Sequence, residues 1–146
     1  MLQVKLEKDQ RLNLHYMNKY QTVYIVDDDP IFVFALKKNL LKIQKFESII
    51  NIQNGQEAID KLIEIHSENL SFPDIIFLDL NMPMLDGWQF LDELEAYDFR
   101  NKLNIYIVSS TIDERDINKA KVYSTVNRFI SKPIEKEDLL KILEIE

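Results

Sequence analysis

Five side chains that can bind or react with charged groups lie at the ends of apolar runs in the sequence. They are Asp27, Asp28, Asp79, Ser109 and Lys132. Three carboxylates in one pocket repel one another, by about 4 kcal/mol per pair at ~4 Å and an effective dielectric constant of ~20. A divalent cation offsets this repulsion, and Mg2+ suits a site with few carboxylates and retained water or phosphate oxygens. These residue types therefore predict a Mg2+ site that accepts a phosphoryl group.

Asp79 is the candidate nucleophile of such a site. A carboxylate beside Mg2+ can become an acyl phosphate, because phosphoryl transfer depends mostly on positioning and charge neutralisation. Lys132 would neutralise further negative charge, and the Ser109 hydroxyl would donate to a phosphate oxygen. The new charge would pull on both residues and move their loops. This behaviour is typical of a switch and not of an enzyme that turns over a separate substrate.

Apolar runs that alternate with amphipathic segments predict the elements that position these residues. We predict strands at residues 22–26, 48–52, 75–78, 104–108 and 127–131, and helices at residues 31–45, 56–66, 88–97, 113–123 and 134–145. Such alternation is typical of an α/β, doubly wound, five-stranded parallel sheet of flavodoxin-like order 2-1-3-4-5, with helices on both faces. Strands 1, 3, 4 and 5 of that sheet end at one edge, where the five polar residues would meet.

The composition excludes several other classes of protein. A chain of 146 residues with a net charge of −7 predicts one compact domain and no direct nucleic-acid partner, which would require clustered positive charge. The absence of cysteine excludes thiolate zinc sites and disulfides. With only Gly55 and Gly87, neither a dinucleotide-binding fingerprint nor a Walker A loop is possible. No run approaches the ~20 apolar residues of a membrane span, so we expect a cytoplasmic protein without membrane insertion.

Five short motifs carry a resemblance to a known family. They are Asp27-Asp28, Asp79 with Asn81-Met82-Pro83, Asp86-Gly87, Ser109-Ser110 and Lys132-Pro133. In this order, on these strand ends, they resemble the receiver domain of two-component response regulators over residues 21–146. The resemblance implies that Asp79 accepts a phosphoryl group from a histidine kinase, a histidine phosphotransfer protein or a small phosphodonor.

The resemblance also implies roles for the residues around Asp79. Asp28 and Asp79 would hold Mg2+ together with the backbone carbonyl of Asn81, and Asp27 would assist in the acidic pocket. Ser109 and Lys132 would contact the phosphoryl group, with a cis peptide between Lys132 and Pro133.

The resemblance further implies how the phosphorylated state would be transmitted. Phe129 matches the aromatic switch residue that turns inward as the Ser109 hydroxyl moves. A downstream protein would then bind the face formed by the fourth helix, the fifth strand and the last helix.

The two ends of the chain set the expected domain organisation. Residues 1–20 are polar and are predicted to be a flexible N-terminal extension, with Met17 as an alternative start. No effector domain follows the last helix, so a stand-alone receiver is expected. One departure from the family pattern is Thr125-Val126-Asn127, where a Gly-Ala pair is usual.

Other functions remain open from the residues alone. One is a degenerate receiver that binds partners without phosphorylation, against which the intact set of acids, hydroxyl and lysine counts. Another is an aspartyl-phosphate phosphohydrolase, but such enzymes need an acid two residues after the nucleophile, where this chain has Asn81. A flavin-binding protein is disfavoured because no Ser, Thr and Gly-rich loop follows the first strand.

Overall fold

The computed structural model describes residues 20–143. They contain a five-stranded sheet, in which every neighbouring pair is parallel and the order is β2-β1-β3-β4-β5. The strands are β1 Tyr20–Val26, β2 Phe46–Ile52, β3 Ile75–Asp79, β4 Ile105–Ser109 and β5 Val126–Ser131. The predicted fold class and strand order are confirmed. The predicted extension lies outside the described residues except for Tyr20, as do residues 144–146.

Five α-helices connect and follow the strands. They are α1 Pro30–Ile43, α2 Gly55–Ser67, α3 Gly87–Leu94, α4 Glu114–Ala120 and α5 Lys136–Ile142, with a 3-10 helix at Asp98–Lys102. The side chain of Asp29 accepts hydrogen bonds from the backbone N–H groups of Ile31 and Phe32, so it caps α1 as its residue type predicts.

Several helix ends differ from the prediction, and α1 ends at Ile43 and not at residue 45. The segment predicted as one helix at 88–97 ends at Leu94, and the 3-10 helix after it was not predicted. Helix α4 ends at Ala120. Helix α5 begins at Lys136 and not at Ile134, because Glu135 is extended and its N–H donates to the Asp138 carboxylate. These boundaries depend on local hydrogen bonds, which apolar spacing does not encode.

Apolar side chains on both faces of the sheet form two core layers. Tyr24 and Val26 of β1 pack with α2, α3 and α4, whereas Val23 and Ile25 pack with α1 and α5. All five residues of β3 are buried. Because both faces of this strand are covered, its sequence is apolar without alternation. Within residues 20–143, no helix is long and apolar enough to cross a membrane.

The loop after β3 is held by two close backbone contacts. The N–H of Gly87 donates to the carbonyl of Leu80 (3.0 Å), and the N–H of Gly55 donates to the carbonyl of Leu85 (3.1 Å). A Cβ atom at Gly87 would lie 2.5 Å from the carbonyl oxygen of Asp79. The start of α3 is therefore pressed against the backbone that carries Asp79, and only glycine fits this approach.

Replacing Gly87 with Ala is expected to destabilise the fold by about 1–3 kcal/mol, because the added methyl group overpacks against backbone atoms that cannot rotate away. Thermal unfolding followed by circular dichroism measures this effect. The matched control is Glu93→Ala on the exposed side of α3, which should change the unfolding free energy by less than about 0.5 kcal/mol. Equal stability of the two variants would contradict the close approach at Gly87.

Candidate functional site

The carboxyl ends of four strands bring the predicted site residues to one edge of the sheet. Asp79 ends β3 and Ser109 ends β4, while Asp27 and Lys132 directly follow β1 and β5. Asp27, Asp28 and Asp79 each contribute one oxygen to a cluster in which these atoms lie within 4.8 Å of one another. Asp27 and Asp79 are buried, and Asp28 is exposed at the mouth. The arrangement is an acidic pocket with one open side.

Lys132 supplies the positive charge inside this pocket. Its Nζ atom lies 2.8 Å from Oδ2 of Asp27 and 3.6 Å from Oδ1 of Asp79, and its side chain is only 13% exposed. When all groups are ionised, three carboxylates and one ammonium leave two unbalanced negative charges. The pocket therefore lacks two positive charges, which one divalent cation would supply.

A ring of α1 lies against the lysine. The Nζ atom of Lys132 is 4.4 Å from the centroid of the Phe32 ring, within the range of a cation–π interaction. Phe32 is 8% exposed and also belongs to the core layer under α1. Sequence reasoning placed Phe32 on the apolar face of the helix but missed this contact. No signal in the sequence marks it, because the same spacing is explained by core packing.

Burial makes the carboxylates of the pocket harder to ionise. Desolvation, with a smaller contribution from the charge of Asp27, raises the pKa of Asp79 to about 6 from its ordinary value of 3.8, although Lys132 acts in the opposite direction. Desolvation also raises the pKa of Asp27, against the hydrogen-bonding and charge effects of Lys132. The folded protein therefore holds these negative charges at an energetic cost, which a bound cation would offset.

The donor atoms of the pocket fit Mg2+. Oδ1 of Asp27 accepts from the N–H of Asp29 (2.9 Å). Oδ2 of Asp27 pairs with Nζ of Lys132 (2.8 Å), and among residues 20–143 it has no further hydrogen-bond partner, so it keeps acceptor capacity. Hydrogen bonding from the backbone of Asn81 acts to lower the pKa of Asp79, against the effect of burial. Hard oxygen ligands with unfilled capacity and an excess negative charge are what Mg2+ binds in proteins.

The remaining predicted residues lie on β4 and β5. Ser109 is buried, its Oγ accepts from the N–H of Thr111 (3.4 Å), and its carbonyl accepts from the N–H of Lys132 (2.8 Å). Phe129 is half-buried and lies beside Ile107 in the β4–β5 register. The peptide bond between Lys132 and Pro133 is cis, as the resemblance implies. Ser109 and Lys132 are thus joined through their backbones at the edge of the pocket.

A polar side chain of β2, which sequence reasoning missed, contacts the backbone of the pocket. The Nδ2 atom of Asn51 donates to the carbonyls of Ile25 (2.8 Å) and Asp27 (3.0 Å). The available signal was an asparagine between Ile50 and Ile52, since asparagine is depleted in strands.

Fold and pocket place the chain in the class of doubly wound α/β domains with an acidic, lysine-containing site at the carboxyl edge of the sheet. Within that class it belongs to the response regulator receiver domain family, whose family model matches residues 23–144. This match confirms the resemblance drawn from the motifs.

Individual relatives agree with the family assignment. The chemotaxis protein CheY of Listeria monocytogenes is 30% identical over 120 residues, spanning 82% of this chain and 93% of CheY. A two-component response regulator from Cytophaga hutchinsonii is 31% identical with a TM-score of 0.78, over 86% of this chain and 95% of that one. The phosphorylated cyanobacterial phytochrome response regulator RcpA is 25% identical with a TM-score of 0.71, over 86% and 89% of the two chains.

Proposed function

We propose that this chain is a phosphoacceptor switch in which Asp79 takes a phosphoryl group from the phosphohistidine of a histidine kinase or a histidine phosphotransfer protein. The observation that carries the proposal is the position of Asp79. Its buried carboxylate lies in the cluster with Asp27 and Asp28, 3.6 Å from Nζ of Lys132. Membership in the receiver family supports a histidine kinase as the class of donor, and RcpA provides a relative in phosphorylated form.

The residues of the pocket divide the work of the transfer. An oxygen of Asp79 forms a bond to phosphorus while the bond from phosphorus to the imidazole nitrogen breaks, and the imidazole leaves with the electron pair. Lys132 neutralises charge on the phosphoryl oxygens, and the Ser109 hydroxyl donates to one of them. Mg2+ would be held by Asp28, Asp79 and the carbonyl of Asn81, with Asp27 assisting, and would supply further neutralisation of negative charge.

Phosphorylation would then change the surface next to the pocket. Contacts from the new phosphoryl oxygens pull on Ser109 and Lys132, and Phe129 follows the movement of the Ser109 hydroxyl. The face made by α4, β5 and α5 carries the result to a downstream protein. In this proposal the protein acts in the cytoplasm and catalyses only its own phosphorylation and dephosphorylation.

Incubation of the full chain with acetyl phosphate and Mg2+ is expected to add the mass of one phosphoryl group, and EDTA is expected to prevent the gain. The reason is that without a divalent cation the two unbalanced negative charges of the pocket repel the incoming phosphoryl group. Intact-protein mass spectrometry measures the gain, and peptide mapping after borohydride reduction locates it. Modification that is unaffected by EDTA, or absent with acetyl phosphate and with every histidine kinase tried, would contradict the proposal.

A further inference from the structure

Strand β2 lies at the edge of the sheet and contributes no residue to the acidic pocket, yet one of its side chains reaches the backbone there. We infer that Asn51 is a positioning residue for the pocket, acting through the carbonyl group of Asp27. The inference rests on the proposed function, because it concerns how the acidic cluster is held ready for a divalent cation.

The side-chain amide of Asn51 hydrogen-bonds to two main-chain carbonyls. In the parallel register Asn51 lies beside Ile25, and Nδ2 donates to the carbonyls of Ile25 (2.8 Å) and Asp27 (3.0 Å). A side-chain amide nitrogen carries two hydrogens. Both are therefore directed at main-chain carbonyls, one at that of Ile25 within β1 and one at that of Asp27, just beyond the end of the strand.

The carbonyl of Asp27 lies where the regular ladder stops. β1 ends at Val26 and β2 ends at Ile52, and the N–H of Asp27 still donates to the carbonyl of Ile52 (2.9 Å). Beyond this point β2 turns through Asn54 into α2. The amide of Asn51 thus gives the Asp27 carbonyl a hydrogen-bond donor at a position where β2 no longer supplies a backbone N–H.

Fixing this carbonyl fixes the orientation of Asp27 and Asp28. The peptide unit between Asp27 and Asp28 is planar, so the direction of its oxygen sets the orientation of both Cα atoms. Asp27 directs Oδ2 at Lys132, and Asp28 contributes an oxygen to the same cluster. If the peptide plane rotates, the two carboxylates move relative to Asp79, and the distance between ligand atoms changes.

The residue type supports a role beyond packing. Ile49, Ile50 and Ile52 surround Asn51 in the sequence, and an asparagine in a strand is locally unfavourable. Such conflicts between local preference and fold concentrate at functional positions. Groups that hydrogen-bond to metal-ligating residues and orient them have large effects on metal affinity, although they do not touch the metal.

The test compares Asn51→Leu with Asn127→Leu by titration calorimetry of the unphosphorylated full chain with MgCl2. Leucine keeps the γ-branched shape of asparagine but is larger and has no donor. Asn127 is a matched control, because its amide donates to Oδ1 of Asn104 (3.2 Å) at the amino end of β5, away from the pocket. The Mg2+ dissociation constant is expected to rise about tenfold in Asn51→Leu and to change less than twofold in the control.

A second readout does not depend on Mg2+. The N–H of Asp29 donates to Oδ1 of Asp27, so it reports on how firmly that acid is held. Its hydrogen exchange, measured by NMR without metal, should accelerate in Asn51→Leu relative to the amide of Tyr24 within β1. If leucine at this position blocks folding, Asn51→Ser serves instead, because the serine side chain is too short to make both hydrogen bonds. The same rise in the Mg2+ dissociation constant and the same faster exchange of the Asp29 amide are expected.

The outcomes separate this inference from the proposed function. Wild-type Mg2+ affinity and wild-type Asp29 exchange in a folded Asn51 variant would overturn the positioning role, whatever the phosphorylation result. Failure of the wild-type chain to bind Mg2+ would overturn the proposed function. In that case accelerated Asp29 exchange would still support, and unchanged exchange would still reject, the role of Asn51.

Discussion

Asp79→Asn is expected to abolish phosphoryl uptake from acetyl phosphate, because an amide oxygen at this position is far less nucleophilic than a carboxylate. No neighbouring acid should replace it. Asp27 is engaged by Lys132 at 2.8 Å and by the N–H of Asp29, and Asp28 lies at the exposed mouth. Intact-protein mass spectrometry in the presence of Mg2+ should show one added phosphoryl group for the wild type and none for the variant.

The matched control changes another aspartate of the same segment. Asp29 caps α1 by accepting from Ile31 and Phe32, and asparagine caps helices about as well as aspartate. Asp29→Asn removes the same formal charge and should retain phosphorylation. Uptake by Asp79→Asn at the wild-type level would show that another residue is the acceptor, and loss in both variants would point to charge alone.

The sheet could be predicted because its strands obey a simple constraint. A strand covered on both faces must be apolar throughout, as residues 75–78 are, and turn residues such as the pair Asp86-Gly87 mark where it ends. Once five such runs alternate with amphipathic helices, few topologies remain. The meeting of Asp27, Asp79 and Lys132 then follows from strand order, and the structure confirms that these side chains are in contact.

Other features of the site could not be predicted because their signals have more than one explanation. Phe32 fits the apolar face of α1 whether or not Lys132 lies above its ring. Asn51 reaches two carbonyls that are distant in sequence, and only the parallel register brings them together. The 3-10 helix at Asp98–Lys102 has no apolar period long enough to detect.

The strength of the charge conflict also depends on burial, which the sequence does not give. Acid pairs at strand ends predict repulsion, but its size depends on how little water reaches them. With Asp27 at 1% and Asp79 at 6% exposure, desolvation is the largest cause of both raised pKa values. Holding two buried carboxylates beside one lysine therefore lowers the stability of the folded protein.

In the absence of Mg2+, the folded protein is expected to lose stability as the pH rises from about 4 to 7. The pKa of Asp79 is about 6 in the folded protein against an ordinary value of 3.8, so the unfolded chain releases this proton first. Ionisation at neutral pH therefore favours unfolding, by about 3 kcal/mol once both states are deprotonated. Asp79→Asn removes this penalty and should raise the melting temperature at pH 7 by roughly 10 °C.

Thermal unfolding in EDTA at several pH values measures the effect, as the difference in stability between the wild type and Asp79→Asn. Asp27, whose pKa is also raised, titrates in both proteins, so the difference reports the Asp79 carboxyl together with its charge interaction with Asp27. Asp98→Asn removes an exposed acid from the 3-10 helix and should leave the wild-type pH slope unchanged. Below the ordinary pKa of 3.8 the wild type and Asp79→Asn should converge, because position 79 is then neutral in the folded and the unfolded states of both proteins. Mg2+ should stabilise the wild type more than the variant, since the ion binds the carboxylates whose repulsion it relieves.

A wild type that is more stable than Asp79→Asn at pH 7 in EDTA would mean that the attraction of Lys132 outweighs the cost of burial. The acidic pocket would then stabilise the fold without a cation.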